Sequence, residues 1–374
     1  MQQRRAEQTR REIIRLCHAG LDSHTLGVET IKQLRKVIAI DVSFFATADP
    51  ATLLFTGAVQ DEILGRVTPQ FLENEFLRDD VNKFMWLARN TPPVGGLVQA
   101  TRQDLERSPR SREILTPLGL GDELRAALIT GGACWGFMCL HRDRTSPPFT
   151  IGEAAFLARL TPHLAEGLRK ALLISAMTRP ALPDEPGLLL LAEDLSLVAI
   201  TPTAERWLAE VAAADWPHTQ QALPYAISVA ARLQALERDS DVQPNLLPKV
   251  RLRTSSGHWL VLHASRLSGP SAGGQIAVII EVARPAEVAP LIVQAYDLSP
   301  RESEIVQLVL RGQSTEEMAT MVHISPNTVQ DHLKAIFEKV GVRSRRELAA
   351  HLFAHQYQPR IAAGSGFDTT GWFT

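Results

Sequence analysis

The chain has 374 residues, 45% of them hydrophobic, and carries 39 Lys and Arg against 41 Asp and Glu, for a net charge of −2. That length exceeds one typical domain and leaves room for two or three, while the near balance of charge excludes a basic tail or a membrane-seeking face. The longest apolar run, 188–192, falls far short of the roughly 20 residues a bilayer crossing needs, and the chain opens on the charged stretch Met1-Gln2-Gln3-Arg4-Arg5; a cytoplasmic protein with no membrane partner is expected.

From the N-terminus, residues 7–21 and 23–37 repeat apolar side chains at helical spacing. Ile13, Ile14, Leu16 and Cys17 form the first face, and Leu26, Ile31, Leu34 and Ile38 the second. Residues 41–48 and 51–58 read as strands joined at Asp49-Pro50, and 124–129 and 133–140 as strands flanking the hairpin signal Thr130-Gly131-Gly132. A long amphipathic helix follows over 151–173. Helices bracketing an antiparallel sheet make residues 1–178 an α+β domain. Cys17, Cys134 and Cys139 are odd in number and lack C-x-x-C spacing, which predicts reduced, buried thiols. Cys134 and Cys139, five apart in one strand, are expected on opposite faces.

Leu182-Pro183-Asp184-Glu185-Pro186-Gly187 has linker composition. Beyond it the pattern predicts strands at 188–192 and 195–200, helices at 203–213 and 224–237, and strands at 249–254, 259–267 and 275–282, a second α/β domain over 183–290. His218, His258 and His263 stand isolated, without metal-ligand spacing, and no cofactor motif is present. Neither a metal nor a cofactor is expected.

Residues 298–353 announce each helix with its own start signal. Ser299-Pro300-Arg301-Glu302, Ser314-Thr315-Glu316-Glu317 and Ser344-Arg345-Arg346-Glu347 place a Ser at an N-cap and a Glu three residues later, the reciprocal capping box. Ser325-Pro326 is a cap followed by a proline at the first helical position, where a missing N–H costs nothing. Val329, Leu333, Ile336 and Val340 then give a helix over 326–339 one buried face, and Gln330, Asp331, Lys334 and Glu338 give it a polar one. Two short helices joined at Met321-Val322-His323-Ile324, the second polar outside, have the layout of a helix-turn-helix.

The pattern L-S-P-R-E, R-G-x-S, then I-S-x-N-T-V-x-x-H-L-x-x-I-x-x-K-x-G-V-x-S-R-x-E-L resembles the DNA-binding domain of LuxR-type (NarL- or GerE-type) bacterial transcription regulators. The resemblance implies an all-α domain of four helices over 295–357, with a flexible tail at 358–374. It also implies double-stranded DNA as partner and a recognition helix running from Ser325 to Lys339. Candidate DNA contacts are Ser325, Asn327, Thr328, Val329, Gln330, Asp331, His332, Lys334, Lys339 and Arg343. The helix from Ser344 is the dimer contact in that family, so Leu348 and Leu352 become candidates for the seam of a homodimer. The chain departs from the family in carrying Gln330-Asp331 where Lys or Arg commonly follows the T-V pair, and Thr315-Glu316 where Asn-Lys is common. Over 298–353, Arg301, Arg311, Lys334, Lys339, Arg343, Arg345 and Arg346 are matched by Glu302, Glu304, Glu316, Glu317, Asp331, Glu338 and Glu347. With no net charge there is little non-specific phosphate attraction, so affinity must come from dimerisation and a few base contacts: Gln330 to adenine, Lys334 to guanine, Asp331 to cytosine N4.

Residues 1–178 resemble a GAF domain, through Asp122-Glu123-Leu124-Arg125, Trp135-Gly136-Phe137 and the helix after Phe149. That resemblance implies a pocket for a small-molecule effector, with Phe44, Phe55, Phe71, Phe76, Trp86 and Leu97 as candidate lining. The strand-strand-helices-three-strands order of 183–290 resembles a PAS domain. No GxSxG, P-loop, HExxH or paired-Cys motif is present. His351 and His355, with Glu347 a turn earlier, read as a solvated helix end, and the N-terminus lacks the strand ending in paired acids of a receiver domain. The sequence therefore predicts an α+β multidomain regulator, not an enzyme, in which the N-terminal domains sense a ligand or only provide a dimerisation scaffold.

Overall fold

The structure, a computed structural model, describes residues 2–173, 185–215, 223–238, 246–269 and 273–349. The chain divides into two compact units. One comprises Met1–Ile174, Asp184–Ser255 and Leu260–Val282, and the other Ser175–Pro183, Ser256–Trp259 and Ala283–Thr374. Half of the linker expected at 182–187, residues 182–184, lies outside the described residues, and the two sheets that flank it fall in the same unit.

The first sheet begins after two helices, α1 (Gln2–Cys17) and α2 (Ser23–Leu34). Helix α1 starts and stops earlier than the expected 7–21, and α2 is capped by Asp22, whose side chain accepts from the Thr25 N–H. Strand β1 (Val42–Ala48) pairs with β2 (Phe55–Gln60). The second strand starts later than expected because Asp49 organises a turn: its carbonyl accepts from Leu53 N at 2.7 Å and its N–H donates to Leu54 O at 2.9 Å. Short helices α3 (Glu62–Gly65), α4 (Thr68–Leu77) and α5 (Phe84–Leu87) lead to β3 (Val94–Gly96) and α6 (Leu97–Ala100). The hairpin β4 (Leu120–Thr130) and β5 (Ala133–Asp143) is longer than the sequence suggested. Its two-residue turn, Gly131-Gly132, has φ of 58° and 74°, the left-handed pair that matches strand twist. Helix α7 (Ile151–Leu173) has the expected bounds and lays Leu157, Leu160, Leu164 and Leu168 in the core. A Cβ at Gly167 would come within 2.8 Å of Leu26 and 3.1 Å of Cys17, so glycine allows α1 and α2 to close on α7.

Five strands in the order β2-β1-β5-β4-β3 make this sheet, with each neighbouring pair antiparallel. A charged network is buried against it. Glu123 on β4 accepts from Arg110 Nε at 2.9 Å and is ion-paired with Arg125, whose Nε lies 3.1 Å away, and Arg125 also donates through Nη1 to Glu75 at 2.8 Å. Asp80 accepts from Asn74, Ser108 and the Arg110 N–H. Each of these carboxylates is matched to donors, as burial demands. Asp122, the residue before, accepts from the Val98, Glu123 and Phe149 N–H groups. Burial still pushes its carboxyl above the usual value. The Asp122-Glu123-Leu124-Arg125 stretch thus ties loops and helices to the sheet. The three cysteines are free and buried.

The second sheet uses β6 (Gly187–Leu191), β7 (Leu197–Ile200), β8 (Lys249–Arg253), β9 (Trp259–Arg266) and β10 (Ile276–Val282). Its order, β7-β6-β10-β9-β8, repeats the permutation of the first. Between β7 and β8 come α8 (Pro202–Asp215) and α9 (Leu223–Arg238). Gly187 allows α8 to approach β6, since a Cβ there would lie 2.6 Å from the Ala204 backbone. Helix α9 packs on α4, and Arg251 of β8 binds Asp49 through Nε at 2.8 Å, joining the two sheets' segments within the unit.

The second unit contains α10 (Pro285–Ala295), α11 (Pro300–Leu310), α12 (Thr315–Met321) and α13 (Pro326–Val340), and residues 345–349 are again helical. Helix α10 was not foreseen; it occupies the span in which the second domain was expected to end. Ile305, Val306, Met318, Val322, Val329, Leu333, Ile336 and Leu348 form the core. Among the described residues, no helix is long and apolar enough to cross a membrane.

Candidate nucleic-acid interface and interior cavities

Local chemistry sets each helix of the second unit. The boxes at Ser299–Glu302 and Ser314–Glu317 are closed in both directions. At Ser344 only half forms: its Oγ accepts from the Glu347 N–H, while the Glu347 carboxylate accepts from the Arg343 N–H. Between α12 and α13, His323 takes a left-handed φ of 54°, and the Ile324 N–H bonds back to Ala319 O at 3.0 Å. This is the Schellman-type ending that glycine usually supplies. The Arg301 guanidinium caps the Val322 carbonyl of the same turn.

Helix α13 begins with Ser325, whose Oγ accepts from the Thr328 N–H at 3.1 Å, and ends at Gly341 with φ 78°. Its outer surface exposes Asn327, Thr328, Gln330, Asp331 and Lys334, with Ser325 at its start and His332 half-buried. Asp331 and Lys334 lie 3.7 Å apart and are both well exposed, so neither is held away from a partner. Arg343 is exposed beyond the helix end. Three expected roles need correction. Val329 is fully buried and belongs to the core. Lys339 places its ammonium 2.6 Å from Glu302, tying α13 to α11. Leu348, expected at a dimer seam, is buried within its own unit, and Leu352 lies outside the described residues, as do His351 and His355. The Glu302 carboxyl is held below its usual range: burial alone would raise it, but Lys339 and the Ser299 N–H outweigh that.

In the first unit, a cavity of about 30 Å³ is lined by Phe44, Phe55, Phe71, Cys139, His141 and Tyr225, the last from α9. Room of this size suits one or two waters. The aromatic rings fill most of the space themselves: Phe44 meets Phe55 edge-on at 5.6 Å, and Phe84 stacks on Phe137 at 4.6 Å. Of the six expected lining residues, three line this cavity. Phe76 lines a neighbouring cavity of about 270 Å³, Leu97 is core, and Trp86 is 54% exposed. Burial lowers His141 to about 4, so its ring is neutral, and its Nδ1 has no hydrogen-bond partner among the described residues. Cys139 and His141 were not foreseen as lining, although their i, i+2 spacing on β5 puts both on one sheet face. Nothing local signals the α9 contribution, which comes from far along the chain.

The capped short helix, tight turn and capped second helix with an exposed polar row define a helix-turn-helix domain. Residues 297–352 match the family described as bacterial regulatory proteins, luxR family. Over part of its length the chain is similar to curated regulators. One is the putative HTH-type transcriptional regulator Rv0890c of Mycobacterium tuberculosis (strain ATCC 25618 / H37Rv), 41% identical over 14% of this chain and 6% of that protein. Another is the probable HTH-type transcriptional regulator GfsR of Streptomyces halstedii, 31% identical over 30% of this chain and 50% of that protein. A third is the probable transcriptional regulatory protein NarL of Mycobacterium tuberculosis, 36% identical over 18% and 28%. The chain thus spans half or less of the length of these relatives. A solved GAF domain/HD domain protein from Geobacter sulfurreducens aligns with 42% of this chain and 99% of its own at 18% identity and a TM-score of 0.32, a likeness too slight to define the fold.

Proposed function

We propose that this chain is a sequence-specific, DNA-binding transcription regulator of the cytoplasm. It acts as a homodimer and carries out no catalytic step. Helix α13 enters the major groove, Gln330 and Lys334 read base edges, and Ser325, Asn327, Thr328 and Arg343 are placed for phosphates. The observation that carries this reading is the exposed polar row of α13, set on a core and on caps that fix its orientation. The N-terminal unit, with its GAF-like and PAS-like parts, binds a small-molecule effector and biases dimerisation or DNA binding. Such control requires different effector affinities in the two states.

Selecting bound sequences from a random duplex library with the full chain tests the first part. The expected result is one motif, an inverted repeat with half-site centres about 34 Å apart. Recovery of no motif would remove the reading. A second reading, a constitutive regulator whose N-terminal unit only provides a scaffold, is favoured by the small size of the Phe44 cavity. It requires that no metabolite shift both the melting temperature and the DNA affinity.

A further inference from the structure

We propose that Arg232 is the anchor of an anion site, and that the cavity of about 270 Å³ beneath α9 accepts a small monocarboxylate with an apolar body. This assigns a chemical class to the effector and so rests on the effector reading above. Arg232 points inward from α9 and is 2% exposed. Its Nη1 donates to Met85 Sδ at 3.4 Å, a weak acceptor, and its guanidinium lies 5.2 Å from the Phe76 ring centre. Nε and Nη2 have no partner among the described residues. Those two nitrogens form one lateral edge of the guanidinium, the fork that receives a carboxylate through two parallel hydrogen bonds.

Neighbouring protein groups do not meet this need. Glu75 also lines the cavity, but one of its oxygens accepts from Arg125 and the other from the Phe84 N–H. The lining carries four cations, Arg78, Lys83, Arg232 and Arg238, against the carboxylates of Glu75 and Asp79. Arg78 is engaged by Glu73 and Glu113, and Lys83 by the Arg78 carbonyl. Burial lowers Arg232 to about 10, which leaves it cationic at neutral pH. A buried cation with an open fork is destabilising until an anion arrives. Leu53, Phe55, Phe84 and Met85 supply apolar walls for the rest of the molecule. The volume lies just below the roughly 300 Å³ at which drug-sized pockets begin, so the ligand is small. Because α9 also closes over Phe44 and Phe55, an occupied fork would hold that helix against the first sheet.

The test is thermal melting and calorimetric titration of the full chain with phenylacetate, and with phenylacetamide as the neutral analogue at matched ionic strength. Phenylacetate should raise Tm while phenylacetamide does not. Arg232→Met should raise Tm of the unliganded protein and weaken phenylacetate binding at least tenfold. No shift with phenylacetate, or equal shifts with acid and amide, overturns the site. Both arms use the wild-type chain, so the test survives a variant that fails to fold. A neutral metabolite that alters DNA affinity while carboxylates do nothing would overturn the anion site and spare the effector reading. Carboxylate binding at Arg232 that leaves DNA affinity unchanged would overturn the effector reading and spare the site.

Discussion

Gln330 and Lys334 lie one turn apart on the exposed side of α13, and the preceding Ser325 cap fixes where that side begins. Gln330→Ala should relax preference at one base position and Lys334→Ala should weaken specific binding, each by roughly 1–3 kcal/mol. Competition titrations against a panel of single-base substitutions read both effects; unchanged affinity and selectivity in the two variants would displace the recognition helix. Glu302 carries a pH dependence. Its folded carboxyl is depressed by Lys339 and Ser299, so its contribution to stability is present above the unfolded value of about 4.3 and is lost as pH falls through the lower folded value. Melting of the chain as a function of pH should show the second unit weakening below that point, and Glu302→Gln should flatten the dependence. Spacing alone put Val329 on the buried face with Leu333, Ile336 and Val340, and the structure keeps it there in place of the DNA contact that the family resemblance implied. Lys339 could not be assigned that way: a lysine near a helix end looks available until packing places it on Glu302.

Helices whose ends are fixed by neighbours in sequence were legible. The boxes at Ser299 and Ser314, the Ser325 cap and the apolar face of α13 all appear as anticipated, because each is decided within four residues. The Gly131-Gly132 hairpin was legible for the same reason. What is fixed at long range was not, since α9 reaches Phe44 across a separation of nearly two hundred residues; α10, which opens on Pro285 with Glu287 accepting from the Arg284 N–H, and the Asp49 turn that displaces β2 carry local signals that were missed. His323 hid a left-handed turn that glycine would have advertised. Three element-level tests follow. Ser325→Ala removes an N-cap and should cost about 1 kcal/mol of stability, read by chemical denaturation. Glu123→Ala leaves Arg110 and Arg125 buried with one partner fewer and should cost roughly 3–5 kcal/mol; a loss below about 1 kcal/mol would mean that the network relaxes toward Glu75 and Asp80. Leu348→Glu should unfold the second unit instead of separating dimers, since that side chain is inside it.

At the scale of the whole chain, two sheets of identical strand order stand before a small LuxR-type helix-turn-helix domain with no net charge of its own. With little electrostatic attraction to DNA, the proposed function requires base contacts and a second copy of the domain to supply the affinity. Salt dependence should accordingly be shallow. The most direct test of the central claim is fluorescence anisotropy of the full chain on its selected duplex, comparing wild type with the combined variant Gln330→Ala, Lys334→Ala at several salt concentrations. The expected result is specific binding by the wild type, lost in the variant at unchanged Tm. Wild-type affinity and selectivity retained by the folded variant would contradict it.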